Sequence, residues 1–295
     1  MQQKFEMSML GEMNFFLGLQ IVQSKKGFFI HQSKYVKDML KRFQLEDCKP
    51  VCTPMTVGCK LCKEDESKDV DPKHYRSMIG SLLYVTASKP DVKQAIGMVA
   101  RFQAAPKESH VQVVKMIFRY LKGTMDLGPW YPNKDSFSLK AYSDAEWEGC
   151  VDDIKITSGG ALFLGESLVA WVSKKQSSIS LSATEAEYIA AAECCTQIEW
   201  MKQTLQDIKI VFEEPITIYC DNTSAISLSK NLVQHSKSKH IPIKYHYLRD
   251  CAENKNIKLE YVPTQEQVVD IFTKPLSKDV FEYLRQILGV VSSPI

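Results

Sequence analysis

No run of about 18 consecutive apolar residues occurs in the 295 residues, so the sequence offers no candidate for a membrane-spanning helix. The opening "MQQKFEMSMLGEMNFF" lacks the basic stretch and apolar block of a secretory leader, and an intracellular protein without membrane contact is expected. Net charge is nearly absent. The 37 Lys and Arg against 35 Asp and Glu leave +2, too little for a global field that favours nucleic acid. There is no internal repeat and no low-complexity segment. Nine cysteines, an odd number scattered through helix-like and strand-like segments, suit reduced thiols better than a disulfide framework. Cys59 and Cys62 form a C-x-x-C without a second one. The loop from Cys48 through Cys52 to Cys62 therefore reads as an irregular connector, and zinc there is disfavoured.

What remains is the composition of a globular protein, 44% hydrophobic and 24% charged, with length enough for two domains of ordinary size or one large one. The first part reads as two strands, "FFLGLQIVQS" and "FFIHQ", then a helix, a polar loop over roughly 46–72, and three helical segments ending at Gly123. From about residue 134 the rhythm changes. "SFSLKAYSD" is a strand, "SGGALFLG" and "SLVAWVSKK" a hairpin through Gly165 and Glu166, and a helix spans about 183–207. Two further strands, "PITIYCD" and "IKLEYV", alternate with helices, which predicts an α/β or α+β domain on a mixed sheet.

Two of these strands end alike, "AYSD" on Asp144 and "IYCD" on Asp221. Alternation puts each aspartate on the face of the tyrosine two positions earlier, and a carboxylate ending a buried strand is costly unless it is paired or bound to a cation. Capping of the next element is the ordinary explanation for either one alone. The helix "LSATEAEYIAAAECC" carries three glutamates. At about 100° per residue, Glu187 heads the apolar stripe that runs through Ala191, Cys194, Ile198 and Leu205, whereas Glu185 and Glu193 fall on other faces, the former in a row expected to meet solvent. A fourth carboxylate, Asp270, lies in "PTQEQVVDIF", expected to be a helix opened by a Thr264–Gln267 capping box, with Lys274 as an i,i+4 partner. Between Lys230 and Arg249 basic residues and histidines gather with no acidic residue among them.

The strings "YRSMIGSLLYVTASKPDV", "IFRYLKGT", "YSDAEWEG", "SKKQSSISLSATEAEYIAAAE", "IYCDNTSAISLSKN", "SKHIPIKYHYLRD" and "PTQEQVVDIFTKPL", in this order, resemble the copia-type LTR-retrotransposon Pol polyprotein where reverse transcriptase is followed by its RNase H domain. The resemblance implies an RNase H-like fold on a mixed five-stranded sheet over 134–276. Residues 1–133 would be a mostly helical part of the reverse transcriptase palm, thumb and connection region, and 277–295 a helical tail. It implies RNase H catalysis, hydrolysis of RNA in an RNA–DNA hybrid, with Asp144, Glu187, Asp221 and Asp270 holding two Mg²⁺ or Mn²⁺ ions. Lys237, Lys239, Lys244 and Arg249 become candidate nucleic-acid contacts, and the remaining polyprotein reverse transcriptase a partner. No Tyr-x-Asp-Asp segment occurs, so polymerase activity is not expected, and no histidine lies between Tyr261 and Asp270. "DAEW" and "IKITSGG" depart from the family's usual Asp-Ala-Asp-Trp and Arg-Lys-Ser-Thr-Ser-Gly. The competing expectation is a catalytically inactive remnant that at most binds nucleic acid.

Overall fold

The computed structural model describes residues 12–134, 137–146, 156–230 and 241–294. Two five-stranded sheets organise them. The first is antiparallel: β1 (Phe15–Phe16), β2 (Leu19–Ser24), β3 (Gly27–His31), β4 (Leu127–Pro132) and, last in order, β10 (Val290–Ser292). Four helices lie between β3 and β4: α1 (Ser33–Arg42), α2 (Pro72–Val85), α3 (Lys93–Val99) and α4 (Glu108–Gly123). Local chemistry sets their starts. At α2 the Asp71 carboxylate accepts the Lys73 and His74 N–H groups and Pro72 takes the first helical position, where a missing N–H costs nothing.

The second sheet has the order β7-β6-β5-β8-β9. Strands β5 (Leu139–Glu146), β6 (Thr157–Leu164) and β7 (Ser167–Lys175) are antiparallel, whereas β8 (Ile216–Cys220) and β9 (Ile257–Tyr261) run parallel to β5 on its other side. The long helix α5 (Ala183–Asp207) follows β7, α6 (Thr223–Lys230) follows β8 and α7 (Tyr247–Glu253) precedes β9. Ile189, Cys194 and Ile198 of α5 bury against Ala141, Leu162, Ile218 and Leu259. This is the mixed five-stranded RNase H-like sheet that the sequence resemblance implies.

The opposite face of that sheet is not solvated. Ala161, Phe163 and Leu168 share one core with Ile96 and Val99 of α3, Phe118 of α4, Phe272 of the short helix α8 (Asp270–Thr273) and Val269 just before it. A sheet buried on both faces needs such a second layer. The stretch 277–295, expected as a helical tail, is more than that. Helix α9 (Lys278–Ile287) buries Phe281 and Leu284 in the shared core, and β10 pairs with the edge of β4, Val290 opposite Pro129. Its apolar stripe and the otherwise open edge of β4 are the physical reason. A buried polar network reinforces the closure. Arg285 of α9 donates to the Tyr120 hydroxyl at 3.1 Å, Tyr120 donates to Asp91, and the fully buried Lys89 donates to the carbonyl of Leu127 at 3.0 Å. Among the described residues no helix is long and apolar enough to cross a membrane.

Candidate active site

The parallel pairing of β5 and β8 sets Tyr142 opposite Tyr219, their rings stacked at 4.8 Å. Two residues further along, Asp144 and Asp221 emerge together at the same end of the sheet. Asp144 is 5% exposed and Asp221 stands just past the end of β8, less buried. Glu187, also 5% exposed, reaches the same end from α5, and its Oε1 accepts the Ala145 N–H at 3.2 Å. Asp270 completes the set from the first turn of α8. Asp144 is the centre of the cluster, within hydrogen-bonding reach of both Glu187 and Asp270.

Segment 264–273 differs from the single capped helix that "PTQEQVVDIF" predicts. It forms a short 3₁₀ turn, Thr264–Glu266, then the four-residue α8. Gln267 is spent elsewhere: its Nε2 donates to the Ser143 carbonyl at 3.0 Å, and the chain is extended there. The Thr264 hydroxyl donates to Asp221 Oδ2 at 2.9 Å, and Thr273 donates to Asp144. α8 can approach this closely because Gly159 lies opposite Asp144 on β6. A Cβ there would stand 2.5 Å from the Val269 side chain and 2.8 Å from that of Thr273.

Burial, together with the charges of Asp144 and Asp221, pushes the Glu187 carboxyl up to about 10. Burial and Asp144 push Asp270 up to about 7, with Lys274, its Nζ 3.0 Å from Asp270 Oδ1, opposing the shift. Asp221 is raised by burial and Asp144. A set of buried oxygen donors whose charges oppose one another fits a hard divalent cation, which would offset the repulsion. Donor atoms of Glu187, Cys220 and Asp221 lie within 4.8 Å of one another. Burial and the Glu187 charge push the Cys220 thiol far up, so it is a neutral donor, its Sγ 3.8 Å from Glu187 Oε2, and not a thiolate ligand.

The structure thus brings together all four predicted carboxylates. It corrects two other expectations. Glu185 is not in a solvent row: it is 3% exposed, and its Oε2 accepts the Leu181 N–H at 2.7 Å while Ser182 caps the helix by accepting the Glu185 N–H. The signal was present as Ser182-x-x-Glu185, a capping-box spacing. Substituting Glu185 by Ala is expected to lower stability by about 1 kcal/mol, read as a fall in melting temperature, because the start of α5 loses the buried carboxylate that accepts the Leu181 N–H. Unchanged melting would contradict this. Arg249, expected to face nucleic acid, is 6% exposed, with Nε donating to the Leu228 carbonyl at 3.1 Å and the guanidinium over the Tyr188 ring. It ties α7 to α6 and α5. Lys244 is exposed, its ammonium 4.6 Å from the Tyr245 ring centre. Lys237 and Lys239 lie outside the described residues. Glu193 is half-buried beside Lys174 at 3.6 Å. Thr273 and Cys220 are supporting groups of the site that sequence patterns did not single out, and Thr264 and Gln267, read as a capping box, serve the site instead.

Strand order, strand direction and carboxylates gathered at one end of the sheet define an RNase H-like domain. The family model for reverse transcriptase (RNA-dependent DNA polymerase) matches residues 1–57. The chain is 36% identical over 294 residues to the retrovirus-related Pol polyprotein from transposon RE1 of Arabidopsis thaliana, covering 100% of this chain and 20% of that protein. It is 33% identical over 196 residues to an uncharacterized mitochondrial protein of the same plant, covering 66% of this chain and 81% of that protein. Among solved structures it is similar to LC11-RNase H1 isolated from compost, at TM-score 0.36 and 10% identity, covering 50% of this chain and 97% of that chain. The chain belongs to the retrovirus-related Pol polyprotein family of transposons, and the copia type fits it. It spans about a fifth of the length of the Pol polyproteins it matches.

Proposed function

We propose that this chain is an RNase H-type endonuclease that hydrolyses the RNA strand of RNA–DNA hybrids within a retrotransposon reverse transcriptase. One observation carries the reading: Asp144, Glu187, Asp221 and Asp270 converge on one end of the sheet, buried or half-buried, with the charge of Asp144 opposing the ionisation of the other three. Two bound Mg²⁺ or Mn²⁺ ions would activate a water for in-line attack on the scissile phosphate and stabilise the leaving 3′ oxygen. The chain's own part is to fix the ligands. Asp144 is held by Thr273, Asp221 by Thr264, and Glu187 by the backbone of β5. The hybrid would be recognised through 2′-hydroxyls and phosphates, with little sequence specificity. Exposed Lys244 stays a candidate for a phosphate contact. The division into 1–133, 134–276 and 277–295 is proposed as a boundary between polyprotein segments and not between separate cores, given the shared core.

The test is cleavage of a labelled RNA–DNA hybrid by the purified chain in Mg²⁺ or Mn²⁺, beside Asp221→Asn. Loss of a metal ligand's supporting partner commonly costs about 10–100-fold, so loss of a ligand is expected to cost at least about a hundredfold. Equal cleavage by the variant would contradict the site. Absence of cleavage by the unaltered chain would favour the inactive remnant.

A further inference from the structure

Lys274 stands within the carboxylate cluster. Helix α8 ends at Thr273 and Pro275 follows, a neighbour that excludes the helical region for Lys274, and the residue is extended at φ −138° and ψ 154°. That backbone turns the lysine back toward the helix it leaves. Its N–H bonds the Asp270 carbonyl at 3.1 Å, and its Nζ lies 3.0 Å from the buried Asp270 Oδ1. The ammonium is half-buried, and its charge acts on Asp221 as well as Asp270, while the charges of Asp270, Asp144 and Glu146 act on it. An ordinary surface i,i+4 pair would touch one partner in high dielectric and matter little. Here one cation serves several carboxylates at the place where a divalent ion would bind.

We propose that Lys274 is a positioning residue, a built-in counter-cation that steadies Asp270 in the absence of metal and competes with the divalent ion on the Asp270 side of the site. The inference rests on the two-metal reading above. The two ions would then be unequal, the one that Asp270 helps to hold binding weaker than the other.

The experiment is Mn²⁺ binding to the full chain without nucleic acid, following free Mn²⁺ by electron paramagnetic resonance, for the unaltered protein, Lys274→Gln, Lys274→Met and Lys274→Arg, each checked for folding by thermal melting. The unaltered chain is expected to bind one Mn²⁺ tightly and a second weakly. Either neutral variant should tighten the second ion by at least about tenfold, since even a screened unit charge about 4 Å away is worth about that much. Lys274→Arg, which keeps the charge, should stay within about threefold of the original, far less than the neutral variants. Neutral variants that bind no tighter, or an arginine variant that tightens the ion equally, would overturn the role of Lys274 and leave the metal site standing. An unaltered chain that binds no Mn²⁺ would overturn the two-metal reading and this inference with it.

Discussion

Glu187→Gln is expected to reduce hybrid cleavage by at least about a hundredfold while leaving a folded and, without metal, more stable protein. The two effects have one cause. Glu187 is buried at the meeting point of α5 and β5, facing Asp144 and Asp221, and its ionised form is disfavoured by both burial and those charges. A neutral amide of the same shape removes the repulsion, keeps an oxygen for the Ala145 N–H, and loses the charge that would ligate a cation. A catalytic group purchased at the expense of stability leaves this signature, whereas a merely structural glutamate would lose both together. The measurements are single-turnover cleavage in Mg²⁺ and thermal melting in chelator. Retained cleavage, or a lowered melting temperature, would contradict the assignment of Glu187.

The second large effect is the pH dependence of stability in the absence of metal. A carboxyl that ordinarily titrates at 4.5 and is pushed up to about 10 on folding keeps its proton in the folded chain over a range where the unfolded chain has lost it. The folded state then binds more protons, so stability falls as pH rises through that window. The contribution is full below about 4.5 and gone above the folded value. Asp270, raised from 3.8 to about 7, acts in the same direction over a narrower range. Each pH unit between the two values removes up to about 1.4 kcal/mol per group. Melting temperature in chelator should therefore drop as pH goes from about 5 to about 8, and Mg²⁺ should restore it at the upper end, since a ligand of the folded state stabilises it. Lys89, fully buried and lowered to about 8, opposes the trend at the alkaline end, because its loss of a proton on folding favours stability as pH rises. The difference between the unaltered chain and Glu187→Gln isolates the site: a shallower slope in the variant is expected, and parallel slopes would count against the burial of an opposed carboxyl.

Most of the second sheet was readable in advance because strand alternation, the hairpin at Gly165 and Glu166, and the 183–207 helix are local properties of the chain. Glu187 was legible for the same reason, since helical phase alone put it on the stripe that faces the sheet. Glu185 shows where that logic stops. Phase gave it a direction away from Glu187, correctly, but a direction away from one face means solvent only if nothing covers the other. The segment before α5 folds over the helix start, with Gln176 donating to the Ala186 carbonyl at 3.0 Å and Leu181 donating to Glu185. Arg249 failed likewise: its surroundings in sequence are basic and polar, yet α5 and α6 come to it from far along the chain.

The sequence by itself determined which residues could be strands and helices and, through period and position, which carboxylates must leave the apolar interior at a strand or helix end. Tertiary structure alone decided that these ends meet. The β5–β8 register sets Asp144 beside Asp221, and the absence of a side chain at Gly159 lets α8 bring Asp270, Thr273 and Lys274 against them. It also decided that α9 and β10 return to the first sheet, so that one core underlies both. The physical reason is range. Propensity and periodicity act over a few residues, whereas the electrostatics of the site depends on groups that only packing brings within a few ångströms.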